Sequence, residues 1–210
     1  MDDALPDAPS NWIELRHAST DRPNLIVVPD RRLLVIEGIG RRGAADFRFA
    51  TSVLRTAHEG LRASLRHDRF IDGQKPVLEI VWLTDAAWSP AEIVEALTEG
   101  DTLRWRQLLE LPSSATAEAV TALIERTRRD AGRERPLLRV LDVAEGRAVQ
   151  LLHLGPTMDL LPTLTRLYSF MADSGVEPRG GLHELVFADA DDAPASRARS
   201  IVRLPVRSSG

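Results

Sequence analysis

The sequence has no cysteine, which excludes a disulfide framework, a thiolate metal site and a cysteine nucleophile. Long apolar runs are missing too. No stretch approaches the roughly 20 residues of a membrane-spanning helix, so no membrane partner is expected. The opening residues MDDALPDAPSNW are acidic and polar and lack the basic-then-apolar order of a secretory signal, so the chain reads as cytoplasmic. Lysine is nearly absent: Lys75 stands alone, and every other basic residue is arginine. The formal net charge is -4 and the arginines are scattered, whereas phosphate binding wants a concentrated basic face, so no direct nucleic acid binding is expected. No glycine-rich phosphate loop follows a strand, no serine sits in a nucleophile elbow, and no His/Asp/Glu set has metal-ligand spacing. Neither a metal nor a cofactor is expected.

What is present is enough for a core: 210 residues, 43% of them hydrophobic, can fold unaided. Residues 1–23 carry three prolines and little periodicity, which predicts a loosely attached leader docked at most through Trp12, Ile13 and Leu15. Strands are expected at 24–28, 33–39, 77–83 and 102–111, with a helix over 43–67 whose stripe of Phe47, Ala50, Val53, Leu54, Ala57, Leu61 and Leu65 recurs at spacings of three and four. Ser89, Pro90 and Glu92 mark a capped helix to about residue 97. A helix over 113–130 opens a second half. There, 136–143 and 147–154 read as a hairpin joined at Gly146. A helix capped by Asp159 and ending before Gly175 follows, and then strands at 182–188 and 201–206.

The halves repeat. VLEIVWLTD in the first aligns with LHELVFADA in the second, and LLELP with IVRLP, each pair after an amphipathic helix. The order predicts an α+β domain over 24–207 made of two pseudo-symmetric strand-helix-strand-strand units, about 24–112 and 113–207. Their strands would merge into one curved antiparallel sheet with helices on its outer face and a central ligand cleft. Glu79 and Glu184 take matching places, each a lone carboxylate among apolar neighbours, and both are expected on the concave side.

The second half, QLLHLGPTMDLLPTLTRLYSFMADSGVEP, then LHELVFAD, then SIVRLPV, resembles the GyrI-like small-molecule-binding family. The first half fits through VVPDRRLLVIEGIG, Leu78-Glu79 to Trp82, and Trp105 before LLELP. The resemblance implies a duplicated unit around a cleft with Glu184 on its floor. In multidrug-responsive regulators of this type that glutamate meets cationic, aromatic drugs. With no DNA-binding module ahead of it, this chain resembles the stand-alone branch, some members of which hydrolyse the strained cyclopropane of DNA-alkylating natural products beside an aromatic cage. Where the family usually carries aromatics, this chain has Val186, Leu83 and Thr157.

A lone carboxylate on an apolar strand costs several kcal/mol to bury unless it is paired or protonated. Glu184 and Glu79 therefore read either as catalytic acids or bases that meet a ligand, or as partners of a structural arginine or tyrosine. Trp105 is the aromatic expected in the cleft, with Tyr168, Val186, Leu83 and Thr157 as further ligand-binding positions. Trp82 and Phe187 read as core, and His183 and His153 as structural, His183 pointing away from Glu184. The expected partner is a hydrophobic or aromatic small molecule, bound by a monomer or homodimer. Three functions follow: binding or sequestering a xenobiotic, opening a cyclopropanoid ring with glutamate-activated water, or docking a protein on the sheet.

Overall fold

The computed structural model describes residues 15–65, 76–100, 102–112, 114–131, 138–188 and 198–209. Trp12, Ile13, the turn at Asp72 and Gly73, and most of the loop before the last strand lie outside them. Strands β1 (Asn24–Val28), β2 (Arg31–Ile39), β3 (Leu78–Trp82), β4 (Arg104–Glu110), β5 (Arg139–Val143), β6 (Gly146–Leu154), β7 (Val176–Pro178), β8 (Leu182–Ala188) and β9 (Arg199–Ser208) alternate with helices α1 (Ala45–Ser64), α2 (Pro90–Glu99), α3 (Ala117–Ala131) and α4 (Leu161–Asp173). The architecture is α+β, a curved, open antiparallel sheet with helices packed on it.

The sheet order is β1-β6-β9-β8-β3-β4-β2-β5, with β7 hung on the far end of β9. From either edge it reads alike: the first strand of one half, the second strand of the other half, that half's closing strand, then its strand that carries a glutamate. The sequence did not foretell where the edges pair. β5 and β6 form no hairpin, because β5 pairs with β2 and β6 with β1. The connection is instead pinned by Glu145, which is buried and bound by arginines of both halves.

The large core lies between the helices and one sheet face. α1 contributes Phe47, Leu54 and Leu61, and α4 contributes Leu164, Leu167 and Met171. They pack on Leu78, Ile80, Trp82, Leu182 and Val202 of the sheet, each large side chain worth roughly 2 kcal/mol of burial. The opposite face carries its own cluster of Leu33, Val35, Val81 and Leu108. Asp159 is not the cap of α4. It ends a 3-10 turn (Thr157–Asp159), and α4 starts from Leu160 without a side-chain cap. Pro162 stands in the first turn, where its missing N–H costs nothing. Part of the expected leader is well fixed: the Leu15 carbonyl accepts from Arg203, and the Ser19 carbonyl from the Leu152 N–H.

Candidate functional site

Register decides which side chains can meet. β3 and β8 are neighbours, with Ile80 opposite Glu184, Val81 opposite His183 and Glu79 opposite Leu185. Directly paired residues share a face and successive residues alternate. Glu184 therefore points to the helices with Ile80 and Trp82, and Glu79 points to the other face with His183. The expectation that one concave side holds both glutamates is corrected. Matching positions in two repeats give matching parity within each strand, yet the antiparallel register between those strands is offset by one residue.

On the helix face, Arg42 Nη1 donates to Glu184 Oε2 at 2.6 Å, and the Trp82 indole N–H donates to the same oxygen at 3.3 Å. Arg42 Nη1 also reaches Thr157 Oγ1 at 3.1 Å. The Glu184 side chain is 4% exposed and that of Arg42 16%. Among the described residues nothing donates to Glu184 Oε1. Trp82 is stacked by Phe47, centroids 5.7 Å apart, and Phe47 meets Trp105 edge-on at 5.1 Å. Trp105 pairs with Trp82 across the strands and lies so flat on Gly38 that a Cβ there would come within 2.2 Å of its ring. Its buried indole N–H has no hydrogen-bond partner among the described residues.

Val186 shares this face, buried in the same core, and Tyr168 packs against that core. The Tyr168 hydroxyl donates to the Trp88 carbonyl at 2.8 Å, and burial, with a contribution from Glu92, pushes its pKa up to about 12. The structure thus gathers Glu184, Trp105, Val186, Thr157 and Tyr168 on one side of the sheet. Leu83 packs with Val81 and Leu33 on the other. Sequence reasoning missed Arg42 and Phe47. Phe47 was legible only as one member of a helical stripe, and nothing distinguished Arg42 from the other arginines.

On the far face Glu79 is fully engaged. Arg31 donates to both its oxygens, at 2.7 and 3.2 Å, and His183 Nδ1 donates at 2.6 Å. Arg31 Nη2 also binds Glu145 Oε2 at 2.9 Å, and Arg203 Nη1 approaches the same oxygen at 3.5 Å. Burial pushes the Glu79 carboxyl up, but the Arg31 guanidinium and His183 outweigh it and hold the group well below the usual carboxylate range. Burial works against the Arg31 charge, and the carboxylates beside it override that to raise its pKa. A cavity of about 180 Å3 adjoins, lined by Arg31, Glu79, Leu33, Leu108, Leu185 and Arg203 among others. Glu79, Glu145 and His183 bring three ligand atoms within 4.8 Å of one another. The donor set does not suit a metal: Arg31 and Arg203 already balance both carboxylates, and a divalent cation would leave a buried excess of two positive charges. This is the structural arginine partnership that the sequence left open.

No protein-family model matches the chain, and no curated protein sequence matches it. Solved structures do. A hydrolase from Listeria innocua superposes with a TM-score of 0.76 at 21% identity, covering 93% of this chain and 96% of its own. An uncharacterized conserved protein of the same organism gives 0.76 at 22% over 93% and 97%. The C-terminal domain of EcmrR gives 0.53 at 10% over 89% and 98%. Identities this low speak for the fold alone, and the fold they support is the GyrI-like one that the sequence resembles.

Proposed function

We propose that the chain binds a hydrophobic, aromatic small molecule on the helix-covered face at Glu184, and that Glu184 serves as general base for adding water to an electrophilic ring of that ligand. One observation carries the reading. Two donors fix Glu184 Oε2 while Oε1 receives none among the described residues, so the carboxylate is oriented and still has an oxygen able to take a proton. Trp82, Phe47 and Trp105, packed on one another in the core, make its surroundings apolar. The attacking water gives its proton to Oε1 as its oxygen bonds the ring carbon. The strained carbon–carbon bond breaks with its electron pair leaving to the conjugated part of the ligand, which then takes up the proton from Glu184. A cyclopropane-bearing DNA alkylator is the substrate class to try first, both from the sequence resemblance and because one structural neighbour is described as a hydrolase.

The test is a thermal-shift screen of flat hydrophobic compounds, including cyclopropane-bearing alkylators, with mass spectrometry of each ligand recovered. A stabilising ligand returned with one added water is the expected result. Glu184→Gln should then lower turnover by roughly 10²–10⁴-fold while still binding the ligand. Stabilisation with the ligand unchanged would reduce the function to sequestration, and no shift with any compound would sink the reading.

A further inference from the structure

We infer that the Glu184 site selects an uncharged aromatic ligand, because the chain places a cation of its own, Arg42, on the carboxylate. The inference rests on the small-molecule reading above and goes past it to the charge of the ligand. A glutamate buried among apolar side chains with no basic partner would favour a cationic guest, the class the sequence resemblance implied. Here that place is taken. Arg42 Nη1 lies 2.6 Å from Glu184 Oε2, and the same nitrogen is tied to Thr157 Oγ1 at 3.1 Å. One guanidinium therefore joins the loop after β2 to the turn before α4.

The backbone presents Arg42 deliberately. Gly40 and Gly43 hold φ of 117° and 74°, conformations that residues with a Cβ rarely adopt, and the Gly40 N–H is anchored on the Leu103 carbonyl at 2.9 Å. Arg42 rides between these fixed points. The carboxylate and the guanidinium carry opposite charges, and among the described residues Trp82, which donates to the carboxylate, and Phe47, Leu182 and Val186 of the adjoining core are uncharged. A cationic ligand must either expel Arg42 or add an unbalanced charge to a largely apolar site, and both are costly. An uncharged ring meets neither cost. Arg42 is thus the residue that sets specificity against cations.

The experiment compares phenanthridine, uncharged at neutral pH, with its N-methylated cation, which has nearly the same flat shape. Binding is followed by tryptophan fluorescence in the wild type, Arg42→Ala, Arg42→Lys and Arg42→Ala/Glu184→Gln. The wild type should bind the neutral ring at least about tenfold more tightly than the cation. Arg42→Ala should gain at least about tenfold for the cation, Arg42→Lys should keep the wild-type preference, and the double variant should lose the gain. Methylguanidinium, which restores only the missing group, should raise the thermal midpoint of Arg42→Ala and leave the wild type and the double variant unmoved. A wild type that binds both rings equally, or an Arg42→Ala protein unresponsive to the cation and to methylguanidinium, would overturn the charge rule alone. If neither ring binds any variant, the small-molecule reading falls and the inference falls with it.

Discussion

Glu79 and Glu184 stand on neighbouring strands and are both almost fully buried, yet they are provided for differently. Glu79 has donors on both oxygens from Arg31 and His183, whereas among the described residues Glu184 has donors on one. The saturated carboxylate belongs to stability. Its folded pKa is depressed, so its contribution is fully present above the unfolded carboxylate value near 4.5 and is lost as pH falls toward the folded value. Glu79→Gln should therefore cost about 3–5 kcal/mol at neutral pH, with the deficit shrinking as the pH drops below the ordinary carboxylate range. Urea unfolding of both proteins across that range measures it, and a deficit independent of pH would refute the assignment. Both glutamates were legible as lone carboxylates in apolar strands. Their partners were not, since all but one of the 27 Lys and Arg residues are arginine and only the folded register picks out Arg31 and Arg42.

The best-read element is α2. Its sequence signature holds in detail: Ser89 Oγ accepts from the Glu92 N–H at 3.4 Å, and the Glu92 carboxylate accepts from the Ser89 N–H at 2.7 Å. Ser89→Ala should cost about 1 kcal/mol, read as a lower thermal midpoint, and because the Tyr168 hydroxyl binds the Trp88 carbonyl at the start of this element, the loss should loosen α4 as well. Hydrogen exchange in α4 that is unchanged by the substitution would separate the two. Elements with periodicity or caps were legible, as α1, α2, β1 and β8 show. β7 has three residues, too few to show alternation. The supposed hairpin failed for another reason: a glycine at φ 67° permits a reversal but does not say which strands the flanking segments will pair with.

At the scale of the whole molecule, each half lends its edge to the other. β1 precedes β2 in the chain but closes the far side of the sheet on β6, while β5 precedes β6 and closes on β2. Removing residues 1–29 should leave the β6 edge unpaired and open to other chains. Light scattering should then show a higher association state than that of the full chain, reversed by a peptide of residues 15–28 supplied in trans. No change on truncation would mean that the edge is protected in another way.

The β1–β6 pairing also sets a clock for synthesis. Asn24 must wait for Gln150, its partner, and at about 5–20 residues per second the wait is on the order of ten seconds. Contacts this distant in sequence carry the closure entropy of a long loop and slow folding. Through that interval NLIVV is an apolar, strand-forming segment with no place to dock, the kind of nascent stretch on which a chaperone would close. A strand delivered early by the ribosome is therefore among the last that the fold can seat.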